Sequence, residues 1–165
     1  MRGTRIVLLG LVFVSLVEAA RHWNSAPGRV PSHFDAAGQP NAWSSRNEFF
    51  TLQVAVTLGI AALFIAIPWL LKLTPVSLIN LPNKSYWLAP ERREETMGRL
   101  TSYFDVFASA TVLLLLVVFE LTSLANRDGI LSTRFFLPAL VSYLLFTAGW
   151  TVALIRSFAN APNEG

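Results

Sequence analysis

The sequence contains no cysteine, and this absence excludes disulfide bonds, thiolate metal sites and cysteine nucleophiles. Charge is also scarce: charged residues make up only 14% of the chain, where a soluble domain carries about a quarter. Hydrophobic residues account for 53% of the 165 positions. Because so few charges leave long uncharged stretches, the composition indicates a protein that lies largely in lipid.

Catalytic motifs are missing as well. The sequence has no G-x-S-x-G or H-E-x-x-H pattern and no glycine-rich phosphate loop. Its basic residues stand at the ends of apolar segments and make no basic, aromatic-studded face of the kind that binds nucleic acid. We therefore predict no enzymatic activity, no catalytic residues, no cofactor and no nucleic-acid partner.

Four apolar segments reach the length that a membrane span needs, about 20 residues for a hydrocarbon core about 30 Å thick. The third does so only by including Asp105 and Glu120, which a helix would place about 22 Å apart, near opposite boundaries of the membrane. We predict an all-α integral membrane fold, a single domain over residues 1–165. Its spans are expected at about 4–23, 49–71, 100–124 and 135–156.

The first apolar segment has a second interpretation. Arg2 and Arg5 precede the apolar residues 6–17, and the small residues Ala19 and Ala20 follow Glu18, which is also the layout of a cleavable signal peptide. If the helix continues to Trp23, it is long enough to span. We favour a retained span and keep cleavage as the alternative.

The basic residues predict the orientation. With the N-terminus inside, outer loop 24–48 and inner loop 72–99, more basic residues lie on the cytoplasmic side, which favours a bacterial-type inner (plasma) membrane protein with both termini cytoplasmic. The inner set is Arg2, Arg5, Lys72, Lys84, Arg92, Arg93, Arg99 and Arg156, and the outer set is Arg21, Arg29, Arg46, Arg127 and Arg134.

Both long loops are predicted to be ordered. In the outer loop, residues 30–34 can be extended, residues 35–38 form a turn and residues 41–43 return beside the first piece, while Ser45 and Glu48 make a capping box for the second span. In the inner loop, Tyr86 and Trp87 are expected to lie at headgroup level. A helix is expected to start near Pro90 and run into the third span.

The outer loop resembles a known sequence pattern. Its segment VPSHFDAAGQPNAWSSR, residues 30–46, is similar to the loop of a bacterial membrane family of unassigned biochemistry, which also forms the N-terminal part of SdpI-type immunity proteins. A second segment, LPNKSYWLAPERREE at residues 81–95, which includes Asn83, is similar to a stretch that follows that domain. In the family pattern a Lys usually occupies the position of Arg46. The matching positions of the first segment are Pro31, His33, Phe34, Asp35, Gly38, Pro40, Asn41, Trp43 and Ser45.

The resemblance implies a function. SdpI-type proteins protect bacteria from a secreted peptide toxin, so an immunity or peptide-sensing protein is expected, with a peptide toxin or membrane partner recognised by the outer loop. The alternative is a small transporter or transporter subunit that acts as an oligomer. A homo-oligomer is compatible with either function.

Acidic and imidazole side chains on the outer side are candidate ligands. Glu18, Glu120, His33 and Asp35, with His22 one turn beyond Glu18, could hold a divalent cation such as zinc or form a proton-titratable cluster. Glu18 could equally pair with Arg21 or His22 on its own helix. We favour the structural interpretation and predict no metal, with His33 capping the loop and Phe34 and Trp43 packing against the bundle.

Asp105 is an acid inside a membrane span. Ionisable residues there are costly and mark either function or a buried partner. Because Asp105 lies at a similar depth to Arg92, Arg93 and Arg99, we favour a structural ion pair or hydrogen bond at the inner boundary.

Overall fold

A computed structural model describes residues 2–160. The predicted fold class is confirmed: the described chain is mostly helical, and four of its helices are long and apolar enough to cross a membrane. Met1 and Gly165, the two ends that we assign to the cytoplasmic side, lie outside these residues. In chain order the elements are α1 (Arg2–Ser25), β1 (Arg29–Phe34), β2 (Pro40–Ser45), α2 (Arg46–Leu73), a 3₁₀ turn (Val76–Leu78), α3 (Lys84–Trp87), α4 (Arg93–Asp128) and α5 (Thr133–Ala159).

Helices α1, α2 and α4 form the centre of the bundle, and α5 packs mainly against α4. At mid-bundle, α2 and α4 contribute the small residues Ala61 and Ala108, so that the larger side chains of α1 fit between them. Nearer the outer loop, Phe50 of α2 is fully buried and stacks near Trp23 of α1. The mid-bundle cluster consists of Leu8, Val12, Ala61, Ala108 and Val112.

The outer loop folds into an antiparallel β-hairpin, in agreement with the expected order. The predicted capping box is present: the Glu48 amide donates to Ser45 Oγ, and the Ser45 amide donates to the Glu48 carboxylate. At the tip, Gly38 adopts φ +81°, a conformation that favours glycine. Its carbonyl accepts a hydrogen bond of 2.8 Å from the Leu131 amide, so the tip is docked on the loop between α4 and α5.

The hairpin and the loop 129–132 therefore lie at one end of the bundle, which we call the hairpin end. At the opposite end, Arg5 of α1 lies near Lys72 and Glu94, and Asn83 contacts the last turn of α5. The first helix, α1, thus begins at the end of the bundle where the last described helix, α5, ends. An even number of spans requires this arrangement.

The helix that leads into the third span starts later than expected. We predicted a start near Pro90, but α4 begins at Arg93. The reason is a turn in which the Ala89 carbonyl accepts from the amides of both Arg92 and Arg93, and Pro90 lies inside that turn.

Candidate functional site

Two carboxylates and one imidazole meet at the hairpin end of the α1–α4 interface. Glu18 and His22 stand one turn apart on α1, where residues i and i+4 share a helix face. Helix α4 runs parallel to α1 and brings Glu120 to the same level. We call Glu18, His22 and Glu120 the acid–histidine cluster.

The imidazole of His22 is the centre of this cluster. Its Nε2 lies 2.7 Å from Glu120 Oε2 and 3.7 Å from Glu18 Oε2, and the residue is 8% exposed. Arg21 Nη2 lies 2.8 Å from the same Glu18 oxygen. That oxygen is shielded from solvent and is paired with the Arg21 guanidinium. The hydrogen bond between His22 and Glu120 joins α1 to α4 at the hairpin end.

A polar cavity adjoins the cluster below the hairpin. It has a volume of about 230 Å³ and is lined in part by His22, Asn126 and Arg127. Asn126 Oδ1 is buried there without a hydrogen-bond partner. Nearby, Arg46 Nη1 at the start of α2 donates a hydrogen bond of 3.3 Å to the Ala26 carbonyl, just after the end of α1. The hairpin end therefore contains polar space as well as packed aromatic rings.

The other two candidate ligands are used inside the hairpin. Asp35 Oδ1 accepts from the amides of Ala37 and Gln39, both at 2.9 Å, and so organises the turn. His33 Nδ1 contacts Asn41 Oδ1 across the strands. Among the described residues the three-ligand group is Glu18, His22 and Glu120, without His33 or Asp35. The structure therefore does not bring the candidates His33 and Asp35 together with Glu18 and Glu120.

Trp43 differs from its predicted position. We expected it to pack against the bundle, but it is 50% exposed, and Phe34 is only half-buried. Trp43 pairs with Pro31 in the hairpin register, and the strand that carries it has exposed residues at three successive positions. The buried contacts come instead from Val30 and Pro31 on the other strand. Strand β1 thus faces the bundle, while the aromatic ring of β2 remains accessible.

Asp105 is fully buried in an ion pair. Arg5 Nη2 and Nε each lie 2.8 Å from Asp105 Oδ1, and Thr4 Oγ1 donates to Oδ2 at 3.3 Å. The favoured ion pair exists, but its partner comes from α1 and not from the arginines that we considered. Parallel packing of α1 on α4 explains the partner, because it places the start of α1 beside Asp105.

Those arginines have other contacts at the same end. Arg92 lies over the ring of Tyr86, and Arg99 lies over the ring of Trp87. Arg93 Nη2 donates to the Lys72 carbonyl. Their charges are therefore held by aromatic faces and backbone oxygens.

The inner-loop segment 81–95 supports the last turn of α5. Asn83 has φ 49° and donates from Nδ2 to the Phe158 and Ala159 carbonyls. Trp87 Nε1 also donates to the Phe158 carbonyl, at 2.8 Å, and the indole is buried. Because the last carbonyls of a helix lack partners within it, these donors cap α5. Trp87 is consequently a packing residue of the inner loop.

Comparison with known proteins identifies one segment. A family model described as Domain of unknown function (DUF1648) matches residues 10–57, which cover most of α1, the hairpin and the first turns of α2. No curated protein and no solved structure matches the chain. The chain is thus similar, over this segment, to an uncharacterised domain family. The matched segment holds Glu18 and His22, while Glu120 lies beyond it.

Proposed function

We propose that this multi-pass membrane protein recognises a peptide toxin or a membrane partner through its β-hairpin, as an SdpI-like immunity or peptide-sensing protein. The proposal places the hairpin end outside the cell and both chain ends in the cytoplasm of a bacterium. The excess of basic residues at the opposite end supports that orientation. The similarity of residues 30–46 to the loop of SdpI-type proteins supports the class of partner.

The observation that carries the proposal is an aromatic side chain exposed on a hairpin that is fixed at both ends. At the base, the Arg46 amide donates to the Gly28 carbonyl at 3.0 Å and Ser45 caps α2. At the tip, the Gly38 backbone is bonded to Leu131. A surface that is already ordered loses little conformational entropy when a partner binds.

Trp43 is the residue most suited to contact a partner. It is half exposed, and tryptophan is among the side chains that contribute most to binding at interfaces. His33 is exposed on the neighbouring strand. Together they offer an apolar ring and a hydrogen-bonding group at the level where a secreted peptide would meet the membrane.

Survival of bacteria tests this function. The chain is expressed in a strain that lacks its own SdpI-type protein, and the cells are exposed to the secreted peptide toxin against which such proteins act. We expect protection by the wild type and loss of protection with Trp43→Ala. The matched control is Trp69→Ala, since Trp69 is 61% exposed on α2, away from the hairpin.

Membrane abundance and thermal stability must be measured for each variant. Because Trp43 is half exposed, its removal should change the free energy of unfolding less than the roughly 3–5 kcal/mol typical of a buried aromatic. Wild-type protein that reaches the membrane in normal amounts and gives no protection would rule out the immunity function.

One observation favours the alternative, a small transporter or transporter subunit acting as an oligomer. Gln53 Oε1 and Thr57 Oγ1 of α2 are buried among the spans and accept no hydrogen bond. Unpaired polar groups at membrane depth are costly and often mark a pathway. A transporter would lose activity with Gln53→Leu, whereas hairpin recognition would tolerate that change.

A further inference from the structure

We propose that Glu18, His22 and Glu120 bind a divalent transition-metal cation, with zinc as the best fit. The inference goes beyond the proposed function and does not depend on it. Its basis is the geometry of the acid–histidine cluster: two carboxylates and one buried imidazole, from two parallel helices, converge at the hairpin end.

The ligand types select the metal. Zinc is bound by imidazole nitrogen and carboxylate oxygen at about 2.0–2.2 Å. Calcium and magnesium prefer sites made of oxygen alone, so an imidazole at the centre disfavours both. Three protein ligands with one open position are the usual arrangement of a zinc site that also keeps a water molecule. The acid–histidine cluster supplies three such ligands, one imidazole nitrogen and two carboxylates.

The distances need only small side-chain adjustments. Ligand atoms around a tetrahedral zinc ion stand about 3.3 Å apart when each is about 2.0 Å from the metal. His22 Nε2 is 3.7 Å from Glu18 Oε2 and 2.7 Å from Glu120 Oε2, and the three ligand atoms all lie within 4.8 Å of one another. The two separations from His22 Nε2 lie on either side of the zinc value, each within about 0.6 Å of it.

Arg21 now neutralises the carboxylate that a cation would bind. Glu18 Oε2 is shielded from solvent and lies 2.8 Å from Arg21 Nη2, so a bound cation would take the place of the Arg21 guanidinium. The Arg21 side chain is 63% exposed and can move outward to admit a cation.

A route to the site lies between the two helices. A groove of about 370 Å³ is lined by Glu18, Glu120 and Arg21 together with apolar side chains of α1 and α4. It gives a cation access to both carboxylates and leaves room for water as the fourth ligand. A bound cation would link α1, through Glu18 and His22, to α4, through Glu120, at the hairpin end.

Zinc titration of the purified full chain tests the site. The protein in detergent is first stripped of metal with a chelator, and zinc chloride is then added while binding heat and the thermal unfolding midpoint are recorded. We expect saturable binding and a midpoint that rises with zinc concentration. X-ray absorption of the loaded protein should show nitrogen and oxygen neighbours at about 2.0 Å.

The chain offers matched controls, because it has two histidines. His22→Ala should weaken zinc binding at least about 100-fold, since loss of even an outer-shell partner costs about 10–100-fold. His33→Ala, on the exposed hairpin surface, should bind like the wild type. Glu120→Gln removes a carboxylate with little change of shape and should also weaken binding, whereas Glu91→Gln at the opposite end should not.

Midpoints measured without zinc show that each variant is folded. Equal zinc affinity in the wild type and in His22→Ala or Glu120→Gln would overturn the proposal, because binding would then come from surface groups. The absence of saturable binding by the wild type would overturn it as well. Protection against the toxin is a separate readout, so failure of the zinc site and failure of the proposed function can be distinguished.

Discussion

Arg5 and Asp105 lie 100 residues apart in the chain, yet Arg5 Nη2 and Asp105 Oδ1 are 2.8 Å apart where α1 begins beside α4. Asp105 is fully buried, so the Arg5 guanidinium supplies the counter-charge of its carboxylate. This contact makes α1 a structural part of the bundle. It also explains why an acid can stand at this position of a lipid-embedded helix.

We predict that Arg5→Met lowers the free energy of unfolding by about 3–5 kcal/mol, because it leaves a buried carboxylate without its counter-charge. Equilibrium unfolding of the detergent-solubilised protein measures the change. The double variant with Arg5→Met and Asp105→Leu should be less destabilised than Arg5→Met alone, since an apolar pair removes the unpaired charge. Simple addition of the two single effects would show that the residues are not coupled.

Gly38 gives a second prediction. A Cβ at this position would stand 2.4 Å from the Leu131 carbonyl oxygen, and φ +81° is unfavourable for other residues by about 1–2 kcal/mol. Gly38→Ala should therefore detach the hairpin tip. Hydrogen exchange at the Leu131 amide, which donates to Gly38, should accelerate.

The control for that experiment is Gly28→Ala at the base of the hairpin. A Cβ there meets no atom within 4 Å, so stability should change by no more than about 1 kcal/mol in either direction. If Gly28→Ala and Gly38→Ala accelerate exchange equally, the tip contact does not hold the hairpin.

Topology is tested by reporter fusions. Fusions after Asn41 and Asp128 should report the outside, and fusions after Lys84 and Gly165 should report the inside, because of the distribution of basic residues. The contact between Gly38 and Leu131 already requires that the first two points share a side. An inside signal at Asn41 would reverse the predicted orientation.

The fate of the first helix is tested by mass spectrometry. We expect an intact mass that corresponds to a chain beginning at Met1 or Arg2. The physical reason is that α1 contributes buried residues to the bundle, Leu8 and Ala19 among them, and provides the partners of Asp105 and Glu120. A mature terminus near Ala20 would show that the segment is a cleaved signal peptide.

Much of the fold could be predicted from local sequence. Span length, the capping box at Ser45 and the order of strand, turn and strand in the outer loop depend on neighbouring residues, and the structure has each of them. The start of α4 was misplaced because Pro90 is equally suited to a turn and to a first helical position. The first residue of a helix depends on which backbone carbonyl accepts a hydrogen bond from which amide, and the sequence does not reveal that pairing.

The site was harder to predict, because it depends on which helices are neighbours. Nothing in the sequence places Arg5 rather than Arg99 beside Asp105; parallel packing of α1 on α4 decides it. The same packing makes His22 the centre of the cluster, although its spacing of four from Glu18 was a visible signal. His33 and Asp35 make hydrogen bonds within the hairpin, and residue types alone do not predict those partners.

The contact of Arg5 with Asp105 and that of His22 with Glu120 join α1 to α4 at two points along their lengths. The interval from Arg5 to His22 is about 25 Å along α1, and that from Asp105 to Glu120 is about 22 Å along α4, both somewhat shorter than a hydrocarbon core of about 30 Å. Because these helices are joined near both boundaries, a thicker or thinner bilayer cannot tilt one without the other. Hydrophobic mismatch must then be absorbed by a local change in lipid thickness around the pair.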